Sequence, residues 1–555
     1  MEERLFQMTM GDLLDDWAKK QPEHDCLVYH DRGLRLSYAG FQKEVNQAAK
    51  AFMALGLGKG DHIAIWSTNY PEWVISQFAT GKMGAPLVTV NTAYRIYELE
   101  YLLSQSDSKT LILMQGLKDV DYVKTLYELC PELNHCKPGE LVSARFPYLK
   151  TVVFLGDTKY PGVFTWNEFK ELGDKITDSQ LIERQKTVGL EDIACLMYTS
   201  GTTGFPKGVM LTHLNLVGDA YYIAEAMKLS PQDRMCIPVP FFHCFGCVLG
   251  TLACVTHGGT MVPVESFNPV KVLETVEGEK CTVLHGVPTM FISELQVLEE
   301  KHYDTSSLRT GIMAGSPCPI EVMKAVVNKM GAKELTIAYG LTETSPVITQ
   351  TRVDDPIELR VSTVGRQIPN IELKIMDLHT REEVPTGTPG EICARGFVVM
   401  KGYYKMPEAT AEAIDENGWL HSGDLGTMDE NGYVKITGRA KDMIIRGGEN
   451  VYPREIEEFL YTHPKIRDVQ VVGVPDIKYG EEIAACIIAK DGPELSEEEV
   501  REFFKEKLSK FKHPRYIVFV KEYPMTASGK IQKYKLREML IETLNLRDAD
   551  TIETA

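Results

Sequence analysis

The stretch 199-TSGTTGFPK-207 sets Gly201 and Gly204 among the hydroxyls of Thr199, Ser200, Thr202 and Thr203 and ends on a cation, Lys207. Backbone N–H groups of such a turn can wrap phosphate oxygens, the hydroxyls add donors, and the lysine adds charge. The pattern departs from the Walker A loop G-x-x-x-x-G-K-[ST]: Pro206 stands five places after Gly201, and Gly208 follows the lysine where a Mg²⁺-binding hydroxyl belongs. Alone, the loop reads first as a surface turn with a solvated lysine. Other stretches add to it. In 339-YGLTETSP-346, Thr342 and Glu343 stand side by side after the apolar run ELTIA, and one glutamate with substrate phosphates is a donor set that Mg²⁺ accepts. In 420-LHSGDLG-426, Asp424 sits in a tight Gly-containing turn and suits the two hydroxyls of a ribose. Arg439 in 438-GRAKD-442 and Lys530 in the Gly/Ser loop of 524-PMTASGKIQK-533 supply two more cations.

Residues so far apart in the chain need a scaffold to bring them together. From about residue 60, short apolar strands alternate with helical patterns: 62-HIAIW-66, a helix opening at Asn69-Tyr70-Pro71, then 86-PLVTV-90, which is a βαβ unit. Asn69 fits an N-cap and Pro71 the first turn. A helix over 98–104 feeds a strand over 110–114, and the rhythm returns with strands near Ile193, Met235, Thr260, Cys281, Thr310 and Leu335. The loop at 199–207 follows the strand 193-IACLMY-198 and precedes a helical pattern beginning near Leu214. Two wound sheets fit this rhythm better than one. After Gly438 the texture changes to 441-KDMIIRGGENVYPREIEEFL-460, two short apolar strands, a charged helix over 496–510 and a last strand over 516–520. That is an α+β unit of about 115 residues, a usual domain size. The reading is therefore an α/β fold, with a large N-terminal domain of wound sheets over 1–440, a hinge at 439–441 and a small mobile α+β domain over 441–555.

At 555 residues the chain exceeds what one hydrophobic core supports. With 44% hydrophobic and 25% charged residues it belongs to the ordinary globular class, and a net charge of −18 argues against a nucleic-acid surface, which needs a basic face. Twelve cysteines without a disulfide-framework pattern, and an acidic start lacking the regions of a signal peptide, read as a reducing cytoplasm. Cys244 and Cys247 form a C-x-x-C, but no second Cys or His pair at zinc spacing follows, so packing is the simpler reading. The longest apolar run, 244-CFGCVLGTLACV-255, is too short to span a bilayer and reads as a buried helix.

Together, in this order and over nearly the whole chain, these motifs resemble the acyl-adenylate-forming superfamily, which contains acyl-CoA synthetases, aryl-CoA ligases, luciferases and peptide synthetase adenylation domains. The resemblance implies that 199–207 holds the β and γ phosphates of ATP, that Thr342 contacts the α phosphate, and that Glu343, with Thr199, serves Mg²⁺. It implies that Asp424 and Arg439 contact the ribose, that Tyr339 and Ile436 flank adenine, and that Gly315, Ser316 and Pro317 run along the purine edge. Lys530 matches the lysine of the adenylating conformation, Lys441 the hinge residue, and Gly448 the glycine lining the coenzyme A tunnel. No general base is needed, because the attacking carboxylate is already ionised.

The segment 238-PVPFFHCFG-246 matches the family's region beside the acyl pocket, which includes Phe245 and Cys247, and it carries no acidic group for an amino acid's ammonium. His243 is expected to orient the carboxylate or gate the tunnel, or else to be a packed histidine. Acetate-specific relatives carry tryptophan where this chain has Gly340, so the resemblance implies an open pocket, in which each added methylene contributes about 0.8 kcal/mol. Around 90–103 and 129–150 the chain looks like the medium-chain branch. The expectation is a medium-chain fatty acid–CoA ligase of fatty acid metabolism that uses ATP, Mg²⁺ and coenzyme A. A ligase for alicyclic or aromatic acids, an acyl-AMP ligase loading a carrier protein, and a non-catalytic nucleotide binder are the alternatives. The partner is a small carboxylic acid, with no nucleic acid and no integral membrane. The oligomeric state stays open, a homodimer included.

Overall fold

The computed structural model describes residues 5–546 apart from 200–205, 317, 379, 440, 447–448, 477–478, 491, 493, 505–507, 509 and 527–528. Among the described residues, no helix is long and apolar enough to cross a membrane. The twelve cysteines are free thiols, and Cys244 and Cys247 are both buried in the core.

Two wound sheets form the large N-terminal domain. The central strands of an eight-stranded sheet, Ile63–Trp66, Leu87–Thr89, Thr110–Leu113, Thr151–Phe154 and Ile193–Thr199, run parallel, and they read as continuous apolar runs because both faces are covered. A nine-stranded sheet has a parallel centre of Glu334–Gly340, Thr310–Met313, Val283–Gly286, Arg234–Ile237, Thr260–Pro263 and Asp25–Tyr29, with antiparallel strands at each end. A four-stranded antiparallel sheet, Ile371–Met376, Gly390–Gly396, Leu420–Met428 and Val434–Arg439, follows. The small C-terminal domain packs the helices Pro453–Tyr461, Glu497–Phe504 and Lys533–Thr543 on a five-stranded sheet.

Helix Pro71–Met83 joins the two large sheets. Every residue in it except Glu72 is buried, which explains a sequence apolar on all sides rather than along one stripe. Its Gln77 donates to the Cys247 carbonyl at 2.8 Å and accepts from Thr251 at 2.8 Å, both in the helical run Phe245–Thr256. That run is the apolar segment expected to be a buried helix.

Three expectations change, and one strand is new. The N-cap of helix Pro71–Met83 is Tyr70, with no side-chain cap. Asn69 instead reaches across to the nine-stranded sheet, where its Nδ2 donates to the carbonyls of Val239 and Val264 at 3.0 Å and its Oδ1 accepts the Phe241 N–H at 2.8 Å. A tertiary demand for three backbone partners wins over the local cap. The helix expected near Leu214 begins at His213, after a strand that the sequence reading does not contain. Residues Lys207–Thr212 return as a strand antiparallel to Ile193–Thr199, with Thr199 paired to Lys207, and helix His213–Ala226 follows. Asp424 lies within strand Leu420–Met428 rather than in a free turn. The two C-terminal strands are long, Ile466–Asp476 and Gly480–Ala489, and the helix Lys533–Thr543 closes the domain.

Replacing Asn69 with Leu leaves three buried backbone groups without partners and is expected to lower the unfolding free energy by about 3 kcal/mol. Denaturant titration checks this, and an unchanged midpoint would mean that apolar packing alone joins the sheets.

Candidate active site

The polar residues singled out by type and spacing converge where the C-terminal ends of the nine-stranded sheet meet the four-stranded sheet and the C-terminal domain. Asp424 is at the centre. Strand pairing sets it opposite Arg439, whose Nε lies 2.9 Å from Asp424 Oδ1, and the Tyr339 hydroxyl donates to Oδ2 at 2.9 Å from the end of strand Glu334–Gly340. The Asp424 charge raises the Arg439 pKa above its ordinary value. Burial, and then Asp424, push the Tyr339 phenol well up, so it stays a donor. Ile436 is half-buried on the same strand as Arg439, opposite Gly426. Lys441 lies in the turn just beyond, where the N–H groups of Asp442 and Met443 both donate to the Arg439 carbonyl.

Lys530 reaches this point from the C-terminal domain. Its turn is closed by Thr526 and Lys530, whose backbones bond at 2.7 Å, and by the Thr526 hydroxyl, which accepts the Lys530 N–H at 3.0 Å. Gly529, at φ +80°, sets this turn against Val287, which the left-handed backbone and close approach reserve for a residue without a Cβ. Gly315, at φ +88°, plays the matching part on the large domain: a Cβ there would meet Val287 at 3.1 Å, the Lys530 Cε at 3.7 Å and Phe245 at 3.9 Å. Burial lowers the Lys530 pKa and Arg439 adds to this, while Cys244, Asp424 and Glu343 oppose it. The half-buried ammonium therefore feels the charges of Asp424 and Glu343. Ser316 follows Gly315 and accepts from the Cys318 thiol through its carbonyl at 3.5 Å.

His243 accepts the Phe245 N–H on Nδ1 at 3.1 Å, which leaves the ring proton of the neutral imidazole on Nε2. Burial, and then the Lys530 charge, push its pKa down to about 3. Cys244 lies between His243 Nδ1, at 3.5 Å, and the Thr342 hydroxyl, at 3.8 Å, so Thr342 and His243 are neighbours through one sulfur.

The sequence reading missed Tyr403. Its hydroxyl donates to Glu343 Oε1 at 2.7 Å, and the Lys207 ammonium lies over its ring, 4.8 Å from the centroid. Lys207 and Glu343, the two ends of the expected phosphate and metal chemistry, are thus tied by one side chain. Its strand Gly402–Tyr403 pairs with Lys207–Thr212. The only signal in the sequence is the aromatic pair in 402-GYY-404, which carries no mark of chemistry.

Other expectations are revised. A Cβ built on Gly340 presses directly on the Pro346 carbonyl of the adjoining chain, so in this backbone a side chain at 340 meets main chain rather than filling a pocket. The glycine is demanded by strand packing. Phe245 is buried with its ring 5.7 Å from that of His285, beside Gly315 and Lys530. Cys247 lines a small void with Trp73, Cys195, Met197 and Leu216, whose volume of about 10 Å³ is less than an alkyl chain needs. Thr199 is paired at the mouth of the hairpin. Ser200, Gly201, Thr202, Thr203, Gly204, Pro317 and Gly448 lie outside the described residues.

Tyr339, Asp424 and Arg439 thus form one polar cluster, and Tyr403 ties Lys207 to Glu343 in another. Residues 14–404 match the family described as AMP-binding enzyme, and residues 455–530 match the AMP-binding enzyme C-terminal domain. The chain belongs to the AMP-binding enzyme family, and within it the chain is an AMP-forming acyl-CoA synthetase. It is 57% identical to YngI of Bacillus subtilis (strain 168), which carries an acyl-CoA synthetase name, over 98% of this chain and 99% of that one. It is 43% identical to the human mitochondrial medium-chain acyl-CoA ligase ACSF2, over 98% of this chain and 89% of that one. Among solved structures, the anthranilate CoA ligase AuaEII in complex with anthranoyl-AMP superposes with a TM-score of 0.84 at 26% identity, covering 97% of this chain and 98% of that one.

His213 and His285 are pushed by burial to about 4, as His243 is to about 3. Between these values and the ordinary 6.5 the unfolded chain binds protons that the folded chain does not, so stability rises with pH through that window and is complete above about 6.5. His243→Gln is expected to lessen the fall in thermal midpoint between pH 7 and pH 4, and scans of both proteins at those pH values measure it; an identical fall would show that His243 titrates normally.

Proposed function

We infer that this synthetase activates medium-chain fatty acids, and that the residues gathered around Asp424 and Lys530 bind and turn over ATP. The observation that carries the chain-length reading is the likeness, over nearly the whole length, to ligases named for medium-chain acids. The acid's carboxylate oxygen attacks the α phosphorus of ATP, the bond to the β phosphate breaks, and pyrophosphate leaves with its electron pair. The free-acid nucleophile is already charged, which is why a neutral His243 suits a positioning part and no base is required.

In this reading Asp424 accepts from the ribose hydroxyls while Arg439 and Tyr339 hold its carboxylate, and Tyr339 and Ile436 enclose the adenine beside Gly315 and Ser316. Thr342 and Lys530 meet the α phosphate, where the partly desolvated ammonium stabilises charge as it develops. Lys207 and the loop at 199–206 hold the β and γ phosphates, the part that departs. Glu343, fixed by Tyr403, is a single carboxylate to which phosphate oxygens would add, a donor set that fits Mg²⁺. Magnesium, when bound, would neutralise charge on those oxygens. The metal duty assigned to Ser or Thr in a Walker A loop thus falls to a residue in the turn after strand Glu334–Gly340, and Gly208 is tolerated after Lys207.

In the second half-reaction the thiol of coenzyme A attacks the acyl carbonyl of the mixed anhydride, and AMP leaves. Rotation about Lys441 would withdraw Lys530 and bring the segment around Gly448 to the site, which separates the two steps in time. A reading with an aromatic acid as substrate is favoured by one observation, the superposition on the anthranilate CoA ligase.

AMP formation measured across acids of C2 to C16, benzoate and cyclohexanecarboxylate, with and without coenzyme A, is expected to peak at C6 to C10 and to depend on the thiol. A maximum at benzoate would replace the fatty-acid reading. Lys530→Ala is expected to reduce acid-dependent ATP–pyrophosphate exchange by at least about a hundredfold, in line with loss of a transition-state charge partner, while thioester formation from supplied acyl adenylate persists. Equal loss of both steps would remove Lys530 from the adenylation step alone.

A further inference from the structure

Strand Leu420–Met428 pairs with Gly390–Gly396 on both sides of a defect. Glu391 is opposite Leu425 and Cys393 is opposite His421, so Ser422, Gly423 and Asp424 stand against the single residue Ile392. This is a bulge of the kind that re-aims a side chain beside a site, and Asp424 is the residue it re-aims. Gly423 takes the left-handed φ of +71° at its crest. Ser422 closes it locally, its hydroxyl accepting the Asp424 N–H at 3.1 Å.

A bulge takes backbone groups out of the ladder, and the freed Gly423 N–H is taken by Glu391, whose Oε1 accepts it at 2.9 Å. Glu391 is 5% exposed. Its other oxygen is fixed in turn: Oε2 lies 2.8 Å from His421 Nδ1 and 2.9 Å from Arg381 Nη1. The carboxylate is therefore held at both oxygens, one on the strand backbone and one on two cationic or polar side chains. Cys393 Sγ is 3.3 Å from the same His421 nitrogen, so Glu391, Cys393 and His421 could by type hold a metal ion. The Arg381 guanidinium, 2.6 Å from His421 Nδ1 as well as 2.9 Å from Glu391, places a positive charge where that ion would sit, and the cluster serves the bulge instead.

We propose that Glu391 is the positioning residue of the nucleotide site: by holding the Gly423 N–H it fixes the bulge and so the angle at which Asp424 meets the ribose hydroxyls. The proposal rests on the ribose assignment of Asp424. Glu391 does not touch the nucleotide. A small displacement of the bulge leaves Asp424 charged and paired to Arg439 but misdirects its free acceptor directions, which weakens recognition of the sugar without removing the carboxylate.

The test compares acid-dependent ATP–pyrophosphate exchange with ATP and with 3′-deoxy-ATP in the full-length native enzyme, Glu391→Gln, Glu391→Asp and Asp424→Ala. The native enzyme is expected to prefer ATP by about tenfold or more, the mark of a buried acceptor that demands its hydroxyl. Asp424→Ala loses this preference. Glu391→Gln brings it to within about threefold, chiefly through a higher KM for ATP, because an amide supplies one acceptor where the carboxylate supplies two. If Glu391→Gln does not fold, Glu391→Asp decides: its carboxylate falls one methylene short of Gly423, and the preference drops likewise. A merely structural part for Glu391 would lower activity with both nucleotides alike and keep the ratio. A folded Glu391 variant with the native ratio, alongside Asp424→Ala that has lost it, overturns the positioning role and leaves the ribose assignment standing. The native ratio in Asp424→Ala overturns both.

Discussion

A buried negative charge has to be matched, and in this protein the matching of Asp424 decides where three separate pieces of chain come together. Its two oxygens are occupied by Tyr339 from the nine-stranded sheet and Arg439 from the last strand of the four-stranded sheet, and the Lys530 ammonium from the C-terminal domain faces the same carboxylate. Tyr339 is a neutral donor and the other two are cations, with Asp442 also acting on Arg439 and Glu343 on Lys530. Asp424 thus stands among a phenol hydroxyl and two cations, a local excess of positive charge in a chain of net charge −18.

The same economy recurs on the other side. Lys207 lies over the face of Tyr403 while the hydroxyl of that ring fixes Glu343, so a cation and an anion are kept apart by the width of a phenol instead of collapsing into a salt bridge. Held apart, each remains available to a ligand of opposite sign. The hairpin of Ile193–Thr199 and Lys207–Thr212 serves this too. A loop between a strand and a helix would aim a helix dipole at phosphates, whereas a loop between paired strands depends on its own backbone and on Lys207 for charge.

Much of this was legible in the chain. The parallel strands show as short apolar runs because both faces of the sheets are covered, and the structure sets Asp424 beside Arg439 and Tyr339, residues already marked by their types. What remained hidden depends on tertiary distance. Asn69 has the form of an N-cap, and nothing local tells that it is needed by Val239, Phe241 and Val264. Glu391 and Tyr403 look like ordinary strand residues until the bulge and the hairpin bring Gly423 and Lys207 to them. Gly340 suggests a missing side chain in a pocket, yet the constraint is the Pro346 carbonyl behind it, which becomes visible only when the register of strand Val347–Gln350 is known.

Strand Asp25–Tyr29 lies in the nine-stranded sheet, where Leu27 is registered with Met261, while the chain between them builds most of the eight-stranded sheet. Strand Asp25–Tyr29 thus finds its parallel neighbour only after more than two hundred further residues have been synthesised. Until then it has only the hairpin partner Leu34–Ser37, and a two-stranded hairpin is marginal alone. Because helix Pro71–Met83 is also buried between both sheets, neither can finish without the other. Synthesis therefore leaves the Leu27 edge of this strand open until the strand that holds Met261 has been made.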